Sequence, residues 1–136
     1  MVKKRCLIVI LLVVAGIITA FVVAVTVIGS QLDKGLSVFE TIKLSDPDLA
    51  AIPDGSYRGS FEQMPISVEV EVVVKDHTIT DITLLKHNNG MGGAAEVIPE
   101  QVVAAQSVES INIVAGATYS SKAILKAIEQ ALTSAA

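Results

Sequence analysis

The chain holds one cysteine, two histidines, no tryptophan and only ten basic residues among 136. Each scarcity closes off a class of function. A lone cysteine rules out a disulfide framework and a cysteine-based metal site. Cys6 precedes a long apolar run instead of following it, so it is not placed as a lipoprotein cysteine and reads as an incidental small residue. His87 has neither a second histidine nor a carboxylate at ligand spacing, so no metal site is expected. Lys3, Lys4 and Arg5 are three of the ten basic residues, which leaves seven Lys/Arg against 14 Asp/Glu in the rest. Such an acidic surface does not track a nucleic-acid backbone, whose affinity comes from basic contacts. Nucleic acid is excluded as a partner, and no internal repeat is visible.

What the chain has in abundance is apolar sequence near its start. Residues 7–28 carry no charge and are interrupted only by Gly16, Thr19 and Thr26. As a helix this run is long enough to cross a hydrocarbon core of about 30 Å. It exceeds the usual apolar region of a cleaved signal peptide, and no clean A-x-A follows it, so an uncleaved anchor is expected. The basic cluster lies before the run and none lies after it. The positive-inside rule then puts the N-terminus in the cytoplasm and the remainder on the outer face of a cell membrane. The expected organisation is a cytoplasmic stub and transmembrane anchor over 1–28, a membrane-proximal stalk over 29–52 and a folded domain over 53–136. In the stalk a helical turn or two is expected around residues 36–44, with Leu36, Phe39, Ile42 and Leu44 free to pack on the domain or on headgroups.

The folded domain opens on a turn signal, Pro53-Asp54-Gly55. Residues 55–61 read as a first strand. Residues 66–75 alternate, with Ile66, Val68, Val70, Val72 and Val74 on one face and Ser67, Glu69, Glu71 and Val73 on the other, which is the period of a half-buried strand. Asp76-His77 makes a short hairpin turn, and 78–86, rich in β-branched residues, is the returning strand. Glu69 and Glu71 read as a solvated strand face and not as a catalytic pair. A loop with three glycines in four positions follows, including Asn88, Asn89, Gly90, Met91, Gly92 and Gly93, and its freedom allows close backbone approach to a ligand. Residues 97–106 read as a short helix with Pro99 near its first turn and Ile98, Val102 and Ala105 toward the sheet. After an extended Ile113-Val114, a last helix carries Ile124, Ala127, Ile128, Ala131 and Leu132 on one stripe, with Lys126 and Glu129 outward. The fold class is α+β: a small antiparallel sheet with two packed helices, preceded by one N-terminal transmembrane helix.

Gly116-Ala117-Thr118-Tyr119-Ser120-Ser121 opens that last helix. A helix start leaves about four N–H groups unpaired and carries about half a positive charge, which favours an oxyanion. One Ser or Thr suffices for the cap. Here Thr118, Ser120 and Ser121 compete for it, and the residue types alone do not choose among them.

The run from Asn112 to Ile124 closely resembles the flavinylation motif of FMN-binding domain proteins, a family with members in the sodium-pumping NADH:quinone reductase and in the Rnf electron-transport complex. The similarity extends from about 53 to 132 and takes in Asp54-Gly55-Ser56-Tyr57-Arg58-Gly59, Lys86-His87 and Ile98-Pro99-Glu100, most like compact single-domain members. The family pattern is approximately Asp-x-x-Ser/Thr-Gly-Ala-Thr. Asn112 and Ala115 stand where it has the acid and the Ser/Thr. The resemblance implies FMN joined by a phosphoester to Thr118, with Gly116 and Ala117 permitting close approach of the phosphate. Ser120 and Ser121 would hydrogen-bond it. Position suggests contacts from Asn89, Gly90, Met91 and Gly92 to the phosphate, ribityl chain or ring, with His87 a further candidate for the ring. The implied protein is a membrane-anchored electron carrier. Its partners would be a flavin transferase that attaches FMN, and redox proteins or a quinone-linked donor. The alternatives are a non-redox binding module, or one that holds FMN non-covalently. Whether it is an enzyme stays open, with electron transfer favoured over stand-alone catalysis because about 80 residues leave little room for a substrate pocket.

Overall fold

The computed structural model describes residues 2–88 and 90–136. The chain divides into two compact units, 1–34 and 35–136. The first is helix throughout its described part, belonging to α1 (Val2–Thr41). Its large apolar side chains, Leu7, Leu11 and Phe21 among them, are exposed. The hydroxyls of Thr19 and Thr26 are satisfied within the helix by the carbonyls of Gly16 and Val23. α1 is long and apolar enough to span a membrane. It does not stop at Ile28, as the expected stalk would have it, but continues to Thr41. No proline falls before Pro47 to break it, and isolated glycines such as Gly29 and Gly35 cost a helix only about 1 kcal/mol each.

The second unit is built on an antiparallel sheet of order β1-β2-β3: β1 (Gly55–Gln63), β2 (Ile66–Lys75) and β3 (Thr78–Asn88). β1 and β2 meet at Met64-Pro65, a cis peptide. β2 and β3 meet at Asp76 and His77, with φ of 51° and 59°, the paired left-handed geometry whose twist suits a two-residue hairpin. The alternation of β2 is realised from Val68 onward: Ile66, Val68, Val70, Val72 and Val74 are buried and Glu69, Glu71 and Val73 are half-buried, but Ser67, expected on the outer face, is buried as well. Register shifts between Glu69 and Val70, and between Val73 and Val74, mark irregularities in the β2–β3 ladder.

Two helices cover the apolar face, α2 (Ile98–Ala105) and α3 (Thr118–Ala135). α3 packs on β1 and β2, and α2 on β3. Ile124, Ala127, Ile128, Ala131 and Leu132 are buried as the stripe predicts. Gly59 is what lets α3 come close: a Cβ there would lie 1.9 Å from the Ala127 carbonyl oxygen. On these helices two expected orientations are corrected. Ala105, placed toward the sheet, is exposed. Glu129, placed outward, is buried, because the segment after α1 runs over α3 and Ser45 donates to its carboxylate at 2.7 Å, with Lys126 paired to it.

The last turn of α1 and the segment after it are part of the fold. Phe39, at 0% exposed, stacks edge-on against Phe61 and tilted against Tyr119, at centroid distances of 5.6 and 5.3 Å. Lys122 donates to the Phe39 carbonyl at 2.8 Å. Farther on, the Asp46 carboxylate accepts from the Ser107 hydroxyl and the Val108 N–H at 2.6 Å each, and from the Glu109 N–H at 3.0 Å. Burial pushes the Asp46 carboxyl up, but the hydrogen bonds from Ser107, Glu109 and Val108 together outweigh it and hold it below its ordinary value. Ile52, fully buried, closes the segment onto the core.

Candidate functional site

The start of α3 lacks the side-chain cap that three hydroxyls make plausible from sequence. The cap position is Ala117, at φ −129° and ψ 36°, and no side chain hydrogen-bonds there. Ser121 is diverted into the loop before the helix. Its Oγ accepts the Val114 N–H at 3.1 Å and donates to the Ala117 carbonyl at 2.8 Å. With its side chain fully buried, Ser121 holds the turn together from within. Gly116, at φ +79°, supplies the left-handed residue that lets 114–117 double back, and the Ala117 N–H closes the turn on the Val114 carbonyl at 3.0 Å.

Three consequences follow for the first turn. Ser121 is its first residue whose N–H reaches a backbone carbonyl, that of Ala117. The N–H groups of Thr118, Tyr119 and Ser120 have no such partner among the described residues, so the positive end of the helix dipole is left open. The Ser120 hydroxyl is buried and unbonded, a group whose desolvation is uncompensated until a partner reaches it. Thr118 is exposed, and its hydroxyl makes no hydrogen bond among the described residues. Of the three hydroxyls, one is consumed by the turn, one is buried and one faces solvent.

The glycine-rich loop lies at the same end of the domain. Phe61, Val68 and His87 are aligned across the sheet. Phe39 touches both Phe61 and Tyr119, so the first turn of α3 sits over the row from which β3 runs into the loop. Gly90 is exposed at φ 56°, Met91 is 97% exposed and Gly92 is buried. Asn89 lies outside the described residues. A 3-10 turn, Gly93–Val97, then packs against α3. The structure therefore brings Gly116, Ala117, Thr118 and Ser120 into one turn, with the loop at the same end of the sheet. His87 is placed differently: its side chain is 3% exposed, with Nδ1 3.0 Å from the Glu96 carboxylate. Sequence reasoning missed Glu96, Lys122 and Tyr119, whose contacts cross between elements and leave no periodic signature. Among the described residues no group of three His, Cys, Asp or Glu side chains could hold a metal ion.

Residues 63–133 match the model of the FMN-binding domain. The chain belongs to the FMN-binding domain family. No curated protein matches it. The matched region contains both the loop and the whole first turn of α3, and the cofactor of an FMN-binding domain is FMN. The residues present suit its phosphate end: open N–H groups, a buried unbonded hydroxyl at Ser120, and open space beside Gly116, where nothing lies within 4 Å of a Cβ position.

Proposed function

We infer that the protein is a membrane-anchored flavoprotein that carries electrons on the outer face of a cell membrane, its FMN joined by a phosphoester to Thr118. The observation that carries this reading is the division of labour at the start of α3. Of the Ser and Thr hydroxyls there, Thr118 is the one that is exposed and makes no hydrogen bond among the described residues, and it stands at an uncapped helix end that favours a phosphate. Ser120 would hydrogen-bond the phosphate from below, and Ser121 would keep the turn in shape. Gly116 and Ala117 would leave room for approach. The loop at 90–92 would lie against the remainder of the cofactor. When bound, the flavin supplies the redox chemistry, and the protein contributes position, exclusion of water and local charge.

Anchorage is supported by α1 and by the basic cluster at 3–5, which favours a cytoplasmic N-terminus. Attachment then depends on a flavin transferase acting on the outer face, and electrons would come from a redox protein or a quinone-linked donor. The test is to produce the full chain together with such a transferase, purify it in detergent, and cycle it between dithionite reduction and air. The expected result is reversible bleaching of flavin absorbance that stays with the protein through denaturation. Colour released on denaturation would favour the non-covalent alternative, and a colourless chain would favour a non-redox binding module.

A further inference from the structure

The sheet has two edges, and the chain treats them differently. On the β3 edge, the Gln106 side chain accepts the Ile79 N–H and donates to the Ile79 carbonyl, at 2.8 Å each. A side-chain amide thereby occupies the ladder position that a further strand would need. Gln106 holds this pose from a left-handed backbone, φ 55°, at the end of α2. The β1 edge has no such guard. Among the described residues, no hydrogen bond from outside the sheet reaches the backbone of 55–63. β1 contains no proline, and its ladder with β2 runs through Gly55–Gln63 without a register shift. Regular, open edges of this kind recruit another strand unless side chains forbid it.

We propose that β1 pairs with β1 of a second copy of this chain, antiparallel about a two-fold axis at Ser60, joining the two sheets into one. The charges on β1 select this register. Ser56, Arg58, Ser60 and Glu62 all face the open side of the sheet. With the axis at Ser60, Arg58 of each copy stands opposite Glu62 of the other. Centring on Arg58 would oppose two guanidinium groups, and centring on Glu62 would oppose two carboxylates, both unfavourable. Arg58 is already 3.2 Å from Glu71 of its own chain, yet its side chain is 67% exposed, and a guanidinium has five donors to share. Glu62 has no ion-pair partner among the described residues. On the covered face, Phe61 stands opposite Gly59 of the second copy, which has no side chain of its own to oppose it. The surface beside the seam is a polar trough of about 340 Å³ that includes Arg58, Ser60, Glu62, Glu69 and Lys86. Its mixed charge matches a polar strand of the same composition and does not suit an apolar segment.

The experiment uses the full chain in detergent with Cys6→Ser, so that introduced cysteines are the only thiols. In an antiparallel pair, directly opposed Cβ atoms lie about 4.5–5.5 Å apart, close to what a disulfide spans. Ser60→Cys should therefore give a disulfide-linked dimer under mild oxidation, and Ser56→Cys should not. In sedimentation equilibrium, Arg58→Glu should weaken dimerisation about tenfold or more, since both cross-strand pairs turn repulsive. Arg58→Glu combined with Glu62→Arg should restore it. Unchanged thermal melting of each variant shows that folding is not what altered. A monomer at every concentration, equal cross-linking at 56 and 60, a dimer indifferent to Arg58→Glu, or failure of the double exchange would each overturn the proposal.

Discussion

Replacing Gly59 with alanine tests whether α3 is seated as closely as the fold requires. The added Cβ would sit 1.9 Å from the Ala127 carbonyl oxygen, 2.7 Å from the Ala131 nitrogen and 2.9 Å from the Ala131 Cβ. Ordinary contact begins near 3.4 Å, so the helix backbone must retreat by about 1.5 Å. No side-chain rotation can relieve a clash with a carbonyl and an amide nitrogen. Retreat also loosens the packing of Ile124, Ala127, Ile128 and Ala131 on β1 and β2. Overpacking typically costs about 1–3 kcal/mol, and a backbone clash belongs at or above the top of that range. For a domain of about 100 residues, each kcal/mol shifts Tm by roughly 4–8 °C, so a fall of at least about 12 °C is expected. The assay is circular dichroism melting of the full chain in detergent, with Gly90→Ala as the control. Gly90 has a positive φ but nothing within 4 Å of its Cβ position, so its variant should lose only about 1 kcal/mol. A Gly59→Ala protein melting within about 2 °C of wild type would refute the close seating of α3.

Phe39→Ala removes a fully buried ring from between Phe61 and Tyr119 and should destabilise by about 3–5 kcal/mol, measured by urea unfolding. A headgroup-facing Phe39 would give almost none of that. Asp46→Asn should cost about 1–2 kcal/mol at neutral pH through weaker bonds to Ser107, Val108 and Glu109. Because the Asp46 carboxyl is held below its ordinary value, its contribution is complete above the unfolded value near 3.9. It is lost as pH falls through the lower folded value, so wild-type and variant melting points should converge in acid. Ser121→Ala should lower stability by about 1–2 kcal/mol, since it strands the half-buried Val114 N–H, whereas Thr118→Ala should leave melting unchanged. Asn112→Asp with Ala115→Ser brings the motif to the family pattern and should raise the flavinylated fraction, read by intact mass.

The sheet was legible in the sequence because β2 alternates cleanly and the hairpin with β3 has a two-residue turn, so period and punctuation agree. The stripe of α3 was legible for the same reason. What could not be read was anything made by contact between distant segments. Residues 29–41 have mixed composition, and their helix continues because nothing before Pro47 breaks it. Glu129 looked outward by periodicity and is buried because Ser45 and Lys126 satisfy it beneath the segment that crosses α3. The site shows the same division. Helix-start chemistry and the family motif located the turn, but the separate duties of Thr118, Ser120 and Ser121 depend on how 114–117 folds back, and that is a property of Gly116 and the Ser121 hydroxyl together.

Attachment at Thr118 is most directly tested by the intact mass of the denatured full chain after production with a flavin transferase. Wild type, Ser120→Ala and Ser121→Ala should each carry a covalent FMN moiety, and Thr118→Ala should carry none. Wild type without that mass, or Thr118→Ala retaining it, would contradict the account.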